Sequence, residues 1–133
     1  MSDAAYTDQV VEHFERPRNA GRLATAPDVI GGAAGERAQG ARFGLSARIA
    51  DGRISELRFE VYGCPHCVAA VSWLSERLVG ATRVDLQEWS WREVAQALEV
   101  PAEKCGRLLI LEDAVQSLAE SWRAEAYHHA REQ

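Results

Sequence analysis

Two cysteines, Cys64 and Cys67, lie three positions apart, and Pro65 follows the first of them directly. A thiolate can bind a metal ion, accept a sulfur atom or attack a disulfide, so this spacing could carry chemistry. Proline is favoured at the first position of a helix, because its missing N–H is not needed there. We therefore predict that Cys64 is the N-cap residue of a helix.

The predicted position of Cys64 favours its thiolate form. Unpaired backbone N–H groups and the positive end of the helix dipole lie at a helix N-terminus, and both stabilise negative charge. Cys67 follows within the first turn, about 60° around the helix axis from Cys64. Both sulfurs can therefore point the same way, as a pair of metal ligands, as sulfur acceptors or as a redox pair.

Two roles stay open for Cys67. It can act together with Cys64, but it also continues an apolar stripe that is made by Val71, Leu74 and Leu78. Free cysteine is among the residue types most often buried, so Cys67 could equally be a small hydrophobic core residue. His66 is predicted to point away from this stripe into solvent.

The third cysteine, Cys105, immediately precedes the last predicted helix. A cysteine at the start of one helix is a natural additional ligand to a cysteine at the start of another. Cys64, Cys67 and Cys105 could together hold a zinc ion, an iron ion or an iron–sulfur cluster, all of which take thiolate ligands. The sequence identifies no fourth ligand, and the alternative that no metal is bound stays open.

The elements that position these cysteines begin with a hairpin. Residues 43–50 and 57–61 alternate apolar and polar side chains, which is typical of strands with one buried face. Asp51 and Gly52 form a favoured two-residue turn between them. Ile54 is out of phase with its strand, which predicts a bulge or a frayed start.

Helical periodicity surrounds this hairpin. It predicts one helix before the sheet, over residues 3–15 with Asp3 as its cap. It predicts three helices after the sheet, from Cys64 to Gly80, over 85–98 and over about 107–127. A short strand is expected at Val29 and Ile30. The order predicts an α+β domain over residues 1–133, with a small antiparallel sheet of about three strands and helices packed on one face.

Composition narrows the function classes. The chain has 133 residues, 47% hydrophobic and 26% charged, with a net charge of −5. This acidity disfavours non-specific nucleic-acid binding, which requires a basic surface. No apolar run reaches the roughly 20 residues of a membrane helix, and the start resembles no signal peptide. We expect a cytoplasmic protein whose cysteines are ligands or reactive thiols rather than disulfides.

Three segments resemble the IscU/NifU family of iron–sulfur cluster scaffolds. Residues Tyr6 to Gly21 resemble its amino-terminal signature, Phe59 to Cys64 its second cysteine motif, and Leu111 to Val115 the start of its last helix. The resemblance implies an IscU-like fold and a scaffold or carrier rather than an enzyme. It also implies that cysteine desulfurase and other iron–sulfur assembly proteins are partners. We expect a monomer or a weak dimer.

The family's ligand set is only partly kept. The resemblance implies cluster assembly on three cysteines, aided by an aspartate and a histidine, and Cys64 is the one cysteine in its place. Gln39 and Ala41 replace the first cysteine and the aspartate, whereas Gly106 and Arg107 replace the histidine and the third cysteine. The standard scaffold mechanism therefore cannot operate unchanged.

Three hypotheses follow. The first is a divergent iron–sulfur assembly protein that accepts sulfur on Cys64 or binds a metal or cluster. The second is a thiol–disulfide redox protein, because Cys64-Pro65-His66-Cys67 is the active-site string of a strongly oxidising thioredoxin-like family. However, residues 65–133 are predicted to be helical, unlike a thioredoxin fold. The third is a non-catalytic partner of a desulfurase or other assembly protein, with tryptophans as candidate contacts: Trp73, Trp89, Trp91 and Trp122.

Overall fold

The computed structural model describes the backbone of residues 6–132 and the side chains of residues 6–122. The predicted α+β class is confirmed. No helix within this part of the chain is long and apolar enough to cross a bilayer. The elements, in chain order, are α1 (Asp8–Glu15), β1 (Val29–Glu36), β2 (Ala41–Ala50), β3 (Arg53–Tyr62), α2 (Pro65–Arg77), α3 (Arg83–Glu88), α4 (Trp91–Ala97) and α5 (Cys105–Glu132).

The strands form one antiparallel sheet in the order β1-β2-β3. Asp51 and Gly52 both have positive φ, 54° and 75°, as the predicted two-residue turn requires. The predicted irregularity at Ile54 is confirmed as a register shift, at which Ile49 pairs with Ile54. This shift lets both Ile54 and Leu57 point into the core, where each is 1% exposed.

One face of the sheet is covered by α2 and α5. Burying a large apolar side chain stabilises a fold by roughly 1.5–3 kcal/mol. The free edge of β3 is covered by the chain before β1, since Gly21 donates a hydrogen bond to the Phe59 carbonyl (2.8 Å) and Phe59 donates one to Asn19 (3.0 Å). The inward residues of β2 and β3 are buried: Phe43, Leu45, Ala47, Leu57 and Phe59.

The first helix is shorter than predicted. It begins at Asp8 because the Thr7 hydroxyl caps it by accepting a hydrogen bond from the Val10 N–H (3.3 Å). The predicted cap, Asp3, lies outside the described residues. Val10 and His13 form the buried side of α1, whereas Phe14 is 44% exposed.

The segment predicted as one helix over 85–98 forms two. Between α3 and α4, Trp89 has an extended backbone and the Ser90 hydroxyl caps α4 by accepting the Arg92 N–H (3.2 Å). Glu112 on α5 accepts the Trp91 N–H at 2.9 Å. This contact with a distant helix explains why the local pattern of apolar residues did not reveal the break.

β1 is also longer than the predicted Val29–Ile30 segment. Gly32 explains why the sequence pattern did not reveal the rest of the strand. The strand contains glycines and alanines instead of alternating large side chains, because α5 lies directly on it. A Cβ at Gly32 would lie 2.7 Å from the Leu118 Cα and 2.8 Å from the Ser117 carbonyl carbon. Only a residue without a side chain lets the helix approach this closely.

We expect Gly32→Ala to lower the free energy of unfolding by about 1–3 kcal/mol, because the added methyl group overpacks the contact between β1 and α5. Urea denaturation measures this loss. The matched control is Gly31→Ala, whose Cβ would meet a single atom, the Leu45 carbonyl oxygen at 3.6 Å. Equal losses in the two variants would contradict this account.

Candidate functional site

The site lies where β3 passes into α2. Cys64 is the N-cap residue of α2, with an extended backbone (φ −75°, ψ 173°), and Pro65 is the first helical residue, as predicted. Gly63 makes the tight junction, since a Cβ there would lie only 2.8 Å from the Cys67 Sγ. The glycine therefore lets the Cys67 sulfur pack against the turn that carries Cys64.

The two sulfurs are in contact. Cys64 Sγ and Cys67 Sγ are 3.7 Å apart, and the Cys67 N–H donates to the Cys64 carbonyl oxygen at 2.9 Å. Cys67 is 1% exposed and belongs to the core, whereas Cys64 is half-buried. Cys67 is therefore a buried core residue, as one of its two interpretations predicts, and it also faces Cys64. We call Cys64 and Cys67 the thiol pair.

When the thiol pair carries one negative charge, that charge lies on the Cys64 sulfur. The hydrogen bond from the Cys67 thiol chiefly lowers the pKa of Cys64, with further help from the Cys67 and His66 N–H groups and the Arg107 side chain, against burial. The same contact and burial raise the pKa of Cys67 far above that of an ordinary thiol. The thiolate is thus on Cys64, and Cys67 carries the proton.

Arg107, in the first turn of α5, supplies positive charge beside Cys64. Its guanidinium covers Gly40, because a Cβ at Gly40 would lie 3.1 Å from the Arg107 Nη2. Among the ion pairs of the described side chains, none joins Arg107 to a carboxylate. The Cys64 thiolate raises the pKa of Arg107 by hydrogen bonding and by its charge. The sequence identifies Arg107 as a substituted ligand position, but it does not reveal the contact with Cys64.

Cys105 does not join the thiol pair. Its sulfur faces backbone carbonyls of the preceding loop, at 3.5 Å from Pro101 and 3.9 Å from Val100. Residues two positions apart in a helix are separated by about 200° around its axis, so Cys105 and Arg107 point to opposite sides of α5. Over residues 6–122, no group of three or more His, Cys, Asp or Glu side chains could share a metal ion.

The prediction that His66 is solvated is wrong. His66 is 3% exposed, and its ring packs against Tyr6 with the centroids 4.9 Å apart. Its Nδ1 atom has no hydrogen-bond partner in the described part of the chain. The cause is tertiary, because the chain that enters α1 covers the first turn of α2.

The tryptophans are mostly unavailable to a partner. Trp73, Trp89 and Trp122 are at most 8% exposed, and Trp91 is half-buried. A groove of about 750 Å³ lies on the sheet beside residues 21–25, and none of the three cysteines lines it. The thiol pair therefore lies outside this groove.

Comparison with known proteins places the chain in a family. The model of the NifU-like N-terminal domain matches residues 5–128. The iron–sulfur cluster assembly scaffold protein IscU of Azotobacter vinelandii is 31% identical over 121 residues, covering 90% of this chain and 94% of the relative. The iron–sulfur cluster assembly protein 2 of Arabidopsis thaliana is 32% identical, covering 89% of this chain and 74% of its own length.

Solved structures share the fold. The N-terminal NifU-like protein of Brucella abortus superposes with a TM-score of 0.62 at 17% identity, covering 94% of this chain and 96% of that protein. A scaffold protein for the SUF system from Fervidobacterium islandicum gives 0.67 at 14% identity, covering 90% and 99%. The sequence matches and the shared fold agree: the chain belongs to the NifU-like N-terminal domain family.

Proposed function

We propose that this protein works in iron–sulfur cluster assembly as a sulfur carrier, and that Cys64 is the residue that accepts the sulfur atom. The observation that supports this most directly is the environment of Cys64, the one family cysteine in its place. Its half-exposed sulfur lies beside the Arg107 guanidinium and 3.7 Å from the Cys67 sulfur. A cysteine desulfurase is the proposed donor, because it presents sulfur as a persulfide.

The transfer is a thiol exchange in which no net oxidation occurs. The Cys64 thiolate attacks the outer sulfur of the donor persulfide, a new S–S bond forms, and the bond to the donor cysteine breaks. The donor cysteine leaves as a thiolate with the electron pair, while the proton stays on the transferred sulfur. The Cys67 thiol chiefly keeps Cys64 ionised for this attack, with help from the helix N-terminal N–H groups and Arg107.

The residues around Cys64 do not fit a cluster held on the three thiolates of the family. Gln39 and Ala41 provide no thiolate or carboxylate, and Arg107 adds a cation where the resemblance implies a cysteine. A positive charge repels iron ions and competes with them for the Cys64 thiolate. In this proposal, iron–sulfur chemistry remains the protein's context, but sulfur rather than a complete cluster is its cargo.

A second candidate function is thiol–disulfide exchange. It is favoured by the contact between the two sulfurs, which lie close enough to form a disulfide after a small rotation. The all-helical chain after Pro65 does not resemble the thioredoxin fold, but a redox pair does not depend on that fold. This chemistry can also serve the sulfur carrier.

The proposal is tested by sulfur transfer from a cysteine desulfurase that is supplied with ³⁵S-labelled cysteine. We use the Cys67→Ser protein, so that any sulfur on Cys64 cannot be passed to its neighbour. We expect one added sulfur per chain by mass spectrometry, and essentially none in Cys64→Ser/Cys67→Ser. The matched control is Cys67→Ser/Cys105→Ser, which should be labelled fully because Cys105 faces backbone carbonyls. Equal labelling without Cys64 would refute the proposal.

A further inference from the structure

We propose that Cys67 releases the sulfur carried by Cys64 as hydrogen sulfide, by forming a disulfide with Cys64. This inference rests on the proposed function, because it starts from a persulfide on Cys64. It adds an activity, the reduction of sulfane sulfur to sulfide by electrons that the protein itself supplies. The thiol pair would then be both the carrier of the sulfur and its reductant.

The positions of the two sulfurs suit this step. A separation of 3.7 Å is close to van der Waals contact, so the nucleophile is already beside its target. Cys64 lies outside the helix at the N-cap, and its side chain makes no capping hydrogen bond. Its side chain can therefore rotate to close the S–S bond, whose length is about 2.05 Å, without disturbing α2.

The step balances in atoms and electrons. Cys64–S–SH and Cys67–SH react to give the Cys64–Cys67 disulfide and H₂S. Persulfide formation removes the Cys64 thiolate, which is the largest cause of the raised pKa of Cys67. The Cys67 thiol passes its proton to the outer sulfur, and the Cys67 thiolate attacks the inner sulfur of the persulfide. The bond to the outer sulfur breaks, and the outer sulfur leaves with the electron pair. Two thiol sulfurs are oxidised to a disulfide, and one sulfane sulfur is reduced to sulfide. The Cys67 proton departs with the leaving group.

The surroundings direct the reaction to Cys67. At 1% exposure, Cys67 is closed to a bulky donor persulfide, so sulfur enters at Cys64 and Cys67 meets it only from within. Arg107 beside Cys64 stabilises the negative charge that builds on the departing hydrosulfide. Cys105 cannot replace Cys67, because its sulfur lies against the Val100 and Pro101 carbonyls.

The cycle needs two electrons for every sulfide released. A dithiol reductant must reduce the disulfide again, by attack on the half-exposed Cys64 sulfur. Dithiothreitol serves as this reductant in a purified system. The inference thus specifies a second partner class, a dithiol reductant, in addition to the sulfur donor.

The test loads the full chain without any desulfurase. Reduced protein is treated anaerobically with glutathione persulfide, desalted at once, and followed by sulfide assay and intact mass. We expect the wild-type chain to lose the added sulfur as sulfide while gaining a disulfide, with no external thiol. In Cys67→Ser we expect release to slow by at least about 100-fold, because the intramolecular nucleophile is gone. Cys105→Ser should match the wild type.

Each outcome separates the two claims. If Cys67→Ser accepts sulfur and the wild type retains it equally long, the sulfide-release step is refuted and the carrier proposal survives. If neither chain accepts sulfur on Cys64, both are refuted. Circular dichroism of all variants identifies a loss that is due to misfolding. Cys67→Ala is a second test of the release step, because a folded Cys67→Ala chain should also retain the persulfide. Release without disulfide formation would also overturn the inference.

Discussion

The triple variant Gln39→Cys/Ala41→Asp/Arg107→Cys is expected to bind an iron–sulfur cluster far better than the natural chain. The substitutions put back the two cysteines and the aspartate that the family resemblance implies, and they remove the cation beside Cys64. The backbone already brings these segments together, since Arg107 covers Gly40 and the Gly40 carbonyl oxygen lies 3.5 Å from a Cβ built at Gly63. Anaerobic reconstitution and visible absorbance measure the gain.

Three thiolates and one carboxylate form a ligand set suited to a cluster, so we expect occupancy to rise from near zero to about one cluster per chain. The informative control is Gln39→Cys/Ala41→Asp with Arg107 kept, in which we expect little binding because the guanidinium remains beside the thiolates. Adding Cys64→Ser to the triple variant should abolish the absorbance. A natural chain that binds as much cluster as the triple variant would contradict our account of Arg107.

Features with a local cause could be predicted from the sequence. The hairpin turn depends on Asp51 and Gly52 alone, and the N-cap position of Cys64 depends on the proline that follows it. The irregularity at Ile54 was visible because a bulge shifts the two-residue period within a single strand. Each of these signals is contained in a few neighbouring residues, so no knowledge of the rest of the fold was required.

Features with a tertiary cause could not be predicted. The break between α3 and α4 depends on Glu112, which lies 21 residues beyond Trp91. Burial of His66 depends on its contact with Tyr6. Tyr6 precedes the three strands in the chain, whereas His66 follows them. The direction of Cys105 depends on where α5 begins, because a shift of two residues turns a side chain by about 200°.

Arg107 links the sequence comparison to the chemistry of the site. An apolar residue in place of the family's cysteine would give Cys64 no cationic neighbour, whereas Arg107 adds to the effect of the Cys67 thiol in lowering the pKa of Cys64. Under the proposed function, the substitution therefore changes what the site holds: a single anionic sulfur balanced by a guanidinium takes the place of the cluster ligands that the family resemblance implies. This change supports sulfur carriage, and it predicts how Cys64 should respond to pH.

The alkylation rate of Cys64 by iodoacetamide is expected to be nearly independent of pH between 6 and 8. The alkylation rate of an ordinary thiol, with a pKa of about 8.5, falls about 80-fold from pH 8 to pH 6, because only the thiolate reacts. The pKa of Cys64 is lowered chiefly by the Cys67 thiol, so its thiolate persists at pH 6. Peptide mass spectrometry in a Cys105→Ser background reports Cys64 directly.

The slope, rather than the absolute rate, is the diagnostic quantity, since a thiolate of lower pKa is also a weaker nucleophile. The urea-denatured chain provides the control with ordinary thiols. Cys67→Ala removes the largest cause of the lowered pKa and should restore a clear fall in rate towards pH 6, whereas Arg107→Gln should restore a smaller one. A folded chain whose Cys64 follows the slope of the denatured chain would show that neither Cys67 nor Arg107 holds the charge on its sulfur.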